Sequence, residues 1–195
     1  MTGVMLPFAG MLAQATQPVV EGSTNIWMFV GQLGAALALG LAAIGSSIGI
    51  GVAGQSAAGA WAKEAKAGLG LRFTYIILLG MPISQTIYAM IVMNRIRDIL
   101  MNTPPGEGAV TAALTAPTMS FAGVLLAAGI AVGLAELFSA WMQGKIGAAG
   151  IRAICEGEGK GFAFMIIAMG VVETVGIFAM VFALGLLPKI AKVAG

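Results

Sequence analysis

Histidine is absent from this 195-residue sequence, cysteine occurs once, as Cys155, and charged side chains are scarce, with ten Lys or Arg and eight Asp or Glu making 9% of the chain. Each shortage excludes a class of chemistry. Without histidine and with one thiol there is no His/Cys zinc cluster, no imidazole acid or base, no His-ligated haem and no intrachain disulfide. Soluble domains are roughly a quarter charged, so this few ionisable groups cannot cover a water-facing surface. The basic residues are scattered and the formal net charge is only +2, with no run suited to a nucleic-acid backbone. Soluble enzymes, redox and metallohydrolase functions and nucleic-acid binding drop out. Lipid, ions and other protein chains remain as partners.

What is abundant is apolar: 59% of the residues, with a mean hydropathy of +0.98. Four long apolar runs, approximately 27–60, 72–100, 118–152 and 161–188, each exceed the roughly 20 residues that a spanning helix needs. Their continuity excludes the short alternating segments of a β-barrel. The fold class expected is an all-α membrane protein with four transmembrane helices and no extramembrane domain. The connections hold the turn residues: 61–70, then Asn102-Thr103-Pro104-Pro105-Gly106-Glu107-Gly108, then a stretch with Arg152, Glu156-Gly157-Glu158-Gly159 and Lys160. Lys63, Lys66, Arg72, Lys145, Arg152 and Lys160 flank the first and third connections, against Arg95, Arg97, Lys189 and Lys192 on the other side. The positive-inside rule then makes the first and third connections cytoplasmic and both termini extracytoplasmic, in a multi-pass protein of the cell membrane. Met5 to Leu12 is apolar and Ala13-Gln14-Ala15 is cleavage-site-like, but no basic residue precedes it, so residues 1–26 are expected to be a retained, signal-like N-terminal extension.

Shifting the chain by 88 positions superimposes its halves: Gly45 on Gly133, Gln55 on Gln143, Gly59-Ala60 on Gly147-Ala148, Met81 on Met169, and Gln85-Thr86 on Glu173-Thr174. The protein is a duplicated helical hairpin, 27–101 and 118–190, joined by an extracytoplasmic connection at 102–117. One hairpin and its connection return the chain to the same side, so the copies run parallel, unlike the inverted repeats of many secondary transporters.

The second hairpin carries Glu173, 30 residues after Gln143 and 15 before Pro188, near the middle of the fourth run. An acid there costs about 2.5–3.5 kcal/mol on insertion scales, so it is expected to be neutralised or to bind something. In the first hairpin Met81, Ser84, Gln85 and Tyr88 stand at i, i+3, i+4 and i+7, one helix face offering a hydroxyl, an amide and a phenol. Pro82 removes an N–H and frees the Leu78 carbonyl, which predicts a kink that exposes oxygen at the same level. With Gln143 at matching depth, this is an oxygen cage suited to a small hard cation. Gly34, Ala38, Ala42, Gly45, Gly49 and Ala53, and again Ala127, Gly129, Ala131, Gly133 and Ala135, predict close helix packing in an inner layer.

These residues resemble the four-helix rotor proteolipid, the membrane ring subunit of V-type or A-type rotary ATPases (the c-ring proteolipid, subunit K in bacteria), in its sodium-binding form. The resemblance spans about 27 to 190 and rests on Met-Pro-Ile-Ser-Gln-Thr-Ile-Tyr at 81–88, similar to the family's Pro-x-Thr-Gln-x-x-Tyr, on Gln143-Gly144-Lys145 followed by Ala148-Ala149-Gly150-Ile151, and on Val172-Glu173-Thr174. It implies a non-catalytic subunit in a ring of identical copies. Ions pass at a stator subunit that supplies an Arg, a central-stalk subunit docks on the cytoplasmic loops, and soluble domains handle ATP. It also implies a Na+ site, with H+ as the alternative: Glu173 neutralises the charge, Gln85 and Gln143 give amide oxygens, Ser84 a hydroxyl, Met81 its carbonyl, and Tyr88 holds Glu173 by a hydrogen bond. Ser84 stands where Thr is usual, and one more residue separates Gln143 from Glu173 than in the sodium-binding pattern. Gln85 occupies the carboxylate position of the first copy, so each chain offers one site instead of two.

Glu136 departs from that pattern. It precedes Gln143 by seven residues on the same face, and a second proton carrier, a lipid- or pore-facing acid and a neutral hydrogen-bond donor are all open to it, the last being preferred. Two rival functions remain: an independent four-helix cation channel or transporter, and a structural subunit with no ion site.

Overall fold

The computed structural model describes residues 26–101 and 118–187. The signal-like segment, the 102–117 connection, Pro188, Lys189 and Lys192 lie outside the described residues. The described chain is helical, with no strand: α1 Ile26–Lys66, α2 Thr74–Gly80, a 3-10 turn Met81–Ile83, α3 Ser84–Met101, α4 Thr118–Glu156 and α5 Phe162–Leu186. Four helical stretches, Met28–Lys66, Thr74–Met101, Ala122–Glu156 and Phe162–Leu186, are long and apolar enough to cross a membrane. The second of them is α2, the 3-10 turn and α3 in succession.

The two hairpins run parallel, as the repeat predicts. Gly34 meets Leu125 and Gly129, Gly45 meets Leu137, Gly49 meets Ala140 and Gly144, Ser56 bonds Arg152 and Cys155 lies on the Ala60 carbonyl, so the separation stays between 91 and 96 residues and partners advance in the same direction along α1 and α4. Glycine is required there, because a Cβ at Gly129 would fall on the Gly34 carbonyl and one at Gly144 on the Gly49 backbone. The small stripe of α4 differs from its expected form. Residues two apart on a helix do not share a face: Gly129 and Gly133 face α1, while Ala127 and Ala131 are exposed beside Phe182 and Leu186.

The first connection is shorter than expected, since α1 continues to Lys66. Ala62-Lys63-Glu64-Ala65-Lys66 are all strong helix formers. The helix stops at Gly68, φ 69°, where the Leu69 N–H bonds the Glu64 carbonyl at 2.9 Å and the Gly68 N–H bonds that of Ala65 at 3.1 Å, a Schellman motif. The third connection shrinks likewise to 157–161. Its motif places Glu158, φ 55°, in the left-handed region, and the Gly159 N–H reaches Ile154 at 2.8 Å.

Glu64 turns inward at the end of α1 and is 2% exposed. It accepts from Arg72 Nη1 at 2.6 Å, from the Arg72 backbone N–H at 3.1 Å and from the Tyr75 hydroxyl at 2.6 Å, while the Trp61 indole donates to the Arg72 carbonyl at 2.9 Å. This ties the first turn to both its helices.

Two apolar clusters fill the interior. One, near the turns, packs Ala53, Ala57, Tyr75, Leu78, Ile151 and Met169; the other, towards the opposite end, packs Val92, Ile96, Ile99, Leu125, Val132 and Leu187. Between them lies a layer of buried polar residues: Ser46, Gln85, Glu136, Ser139 and Gln143.

Candidate ion-binding site

Glu173 stands at the centre of α5, about 17 Å of helix from Phe162 and about 20 Å from Leu186. Its carboxylate is the point on which two other elements converge. From α3 the Tyr88 hydroxyl donates to Oε1 at 2.7 Å, and from α4 the Gln143 amide donates to Oε2 at 3.4 Å and to the Met169 carbonyl at 3.3 Å. The extra residue between Gln143 and Glu173 does not keep them apart. Gln143 is fully buried, and its Oε1 has no hydrogen-bond partner among the described residues. A half-turn of that amide would aim the unpartnered oxygen at whatever Glu173 holds.

Met81, Ser84 and Gln85 form a second, linked group. The 3-10 turn brings the Met81 carbonyl within 3.0 Å of the Ser84 hydroxyl, which also lies 3.2 Å from Gln85 Oε1. This group reaches Glu173 indirectly, through Ser139 of α4: it accepts from Gln85 Nε2 at 3.3 Å and donates to the Val172 carbonyl at 3.0 Å, next to Glu173. Because the Ser139 proton is committed to Val172, its oxygen can only accept from Gln85. The amide is thereby fixed with nitrogen towards α4 and Oε1 towards Ser84. Reasoning from the sequence misses Ser139. Its signal is there, since Glu136, Ser139 and Gln143 at i, i+3 and i+7 share one face of α4.

The kink at Pro82 is present as the 3-10 turn, but the oxygens go elsewhere than expected. The Leu78 carbonyl faces Gly147, where a Cβ would approach it to 2.9 Å. It is the Pro82 carbonyl that meets a polar group, the Ser46 hydroxyl at 2.5 Å, with Thr86 donating in turn to Ser46 at 2.8 Å. The first copy's Gln55 is exposed on α1, far from the role of its counterpart Gln143. The hydrogen bond expected of Glu136 is also not made. Both its oxygens are without a partner among the described residues, since the α5 surface opposite is the bare Gly176.

The arrangement holds one half-buried carboxylate at mid-span, with a phenol and an amide fixed on it and further oxygens one turn away. Oxygen donors of this kind, set around one carboxylate, suit a small hard cation or a proton. Comparison with known proteins agrees with the duplicated architecture. The profile of the family described as the C subunit of ATP synthase matches residues 33–94 and again residues 126–186, one match per hairpin. The A-type ATP synthase subunit K of Methanocaldococcus jannaschii is 31% identical over 169 residues, which make up 85% of this chain and 64% of that relative, so the chain spans less than two thirds of the relative's length. With two matches that together cover most of its helices, the chain belongs to the ATP synthase C-subunit family, as a non-catalytic membrane proteolipid.

Proposed function

We propose that this chain is the rotor-ring subunit of a V- or A-type rotary ATPase or ATP synthase, carrying one Na+ (H+ is the alternative) per chain on Glu173 as the ring turns. The observation that carries the reading is the convergence of Tyr88 and Gln143 on Glu173 in the middle of a spanning helix. Gln85, Gln143, Ser84 and the Met81 carbonyl complete the cation's oxygen shell, with Gln143 turning its free Oε1 inward. Identical copies form the ring. The turns 67–73 and 157–161 face the cytoplasm and meet a central-stalk subunit, and the termini lie outside the cell membrane.

The gate is electrostatic. An ionised Glu173 facing hydrocarbon costs about 2.5–3.5 kcal/mol, so only a loaded site passes lipid. An empty, ionised site rests beside an Arg supplied by the stator. Coupling to ATP hydrolysis or synthesis is left to soluble subunits. Since the first copy has Gln85 in the carboxylate position, which neither ionises nor neutralises, one Glu173-type site serves two hairpins.

The test is the rate at which a hydrophobic carbodiimide labels Glu173 in the purified assembly at fixed pH, with and without sodium. Protection by millimolar sodium, as set by the roughly millimolar affinities of weak cation sites, is the expected result. Labelling indifferent to sodium assigns the site to protons. In the Glu173→Gln variant the ring assembles and transport is abolished; a variant that still moves ions overturns the proposal.

A further inference from the structure

Glu136 takes no part in the function proposed above, yet it is the least compensated group among the described residues. It lies mid-way along α4, is 0% exposed, and neither carboxylate oxygen has a hydrogen-bond partner among those residues. Its carboxyl rests on Gly176 of α5, in space that a Cβ there would fill. The repeat shows what changed: 88 residues earlier, Glu136 corresponds to Ile48 and Gly176 to Tyr88. The second hairpin has an acid on its first helix where the first hairpin has an alkyl group, and has no side chain at the position of the phenol.

No cation among the described residues answers this acid from the elements packed around it. The titratable groups near enough to act on it electrostatically are Glu173 on α5 and Tyr88 on α3, both acids. The neighbouring helix α1 has no titratable residue before Lys63. A buried carboxylate with neither donor nor cation is costly in a membrane interior, and a proton on the carboxyl removes the charge. A structural acid retained as interhelical glue would donate to a neighbour. This one donates to none of the described groups, and a glycine makes room for it.

We propose that Glu136 is a second proton-binding site of the chain, separate from the ion on Glu173, with a proton that exchanges with water. On loading, an O–H bond forms at one Glu136 carboxyl oxygen with a proton taken from water; on unloading that bond breaks and the proton returns to water. The inference rests on the rotor reading only for the assembly in which it is tested.

The test is infrared spectroscopy of the purified full-chain assembly at saturating sodium, comparing the wild type with Glu136→Gln and Glu173→Gln. The expected result is a protonated-acid carbonyl band that moves on transfer to D2O, is lost in Glu136→Gln and persists in Glu173→Gln. A band that does not move in D2O makes Glu136 a locked structural acid, and a spectrum in which Glu136→Gln removes no such band makes it ionised; either overturns the proposal. Should Glu136→Gln fail to assemble, Glu136→Asp serves instead: withdrawing the acid from Gly176 must shift the band, and an unshifted band assigns it to another residue. Failure of the Glu173 reading shows separately, as transport surviving in Glu173→Gln.

Discussion

At the scale of the residue, the site is a set of orientations more than a set of oxygens. The Tyr88 hydroxyl donates to Glu173, and a donated hydrogen bond favours the charged form of an acid, the form that holds a metal cation. A hydrogen bond to a charged group contributes about 1.5–3 kcal/mol. Tyr88→Phe is therefore expected to raise the sodium concentration that protects Glu173 from carbodiimide by roughly ten- to hundred-fold. Ser139 acts at one remove, by fixing which end of the Gln85 amide faces Ser84. Ser139→Ala leaves that amide free to turn. Loss of one neutral hydrogen bond, about 0.5–1.5 kcal/mol, predicts a two- to tenfold weaker sodium protection. Ser139→Thr retains the hydroxyl and is expected to restore it.

The residue scale is also where the sequence is most legible. Glu173, Gln143 and Tyr88 follow from an unaffordable charge, from the 88-residue repeat and from a one-face stripe, and the structure brings these three side chains together. The directions are not legible. Pro82 predicts a freed carbonyl near Ser84, but which carbonyl meets Ser46 depends on how the 3-10 turn sets the chain after Gly80. Ser139 stays hidden because a lone serine in a spanning helix commonly bonds its own backbone, and only the partner helices show that it does not.

At the scale of the element, helix existence follows from hydropathy and helix ends from local chemistry. Trp61 to Gly70 reads as a loop on the strength of its charges, although its residues favour helix and Gly68 is the first position that needs a positive φ. The third turn has the same motif with a glutamate in the left-handed position, where residues other than Gly, Asn and Asp are strained. Glu158→Gly is expected to raise stability by about 1 kcal/mol, relieving that strain against a modest gain in unfolded-state entropy. Thermal denaturation of the purified assembly checks the sign.

At the scale of the whole molecule, parallel hairpins and a polar layer between two apolar clusters place the Glu173 site and Glu136 at one level of the bundle. Hydropathy alone describes four similar spans. It does not show that α5 is mostly on the surface, with Phe164, Phe182 and Leu186 each at least 70% exposed, while α4 is buried over a larger share of its length. The turn clamp belongs to this scale as well. Arg72→Ala strands the buried Glu64 carboxylate with only Tyr75 and one backbone N–H. Because Arg72 itself is 27% exposed, the loss is expected to fall below that of a fully buried pair, and shows as a lower midpoint of thermal unfolding.

The same arginine does more than close its own loop. Its guanidinium passes beside Gly159 of the other hairpin, close enough that a Cβ there would touch Nε at 3.6 Å. A side chain introduced at 159 would therefore come against the guanidinium that closes the first turn. The two turns lie side by side, so a change in the turn of one hairpin is felt at the ion pair of the other.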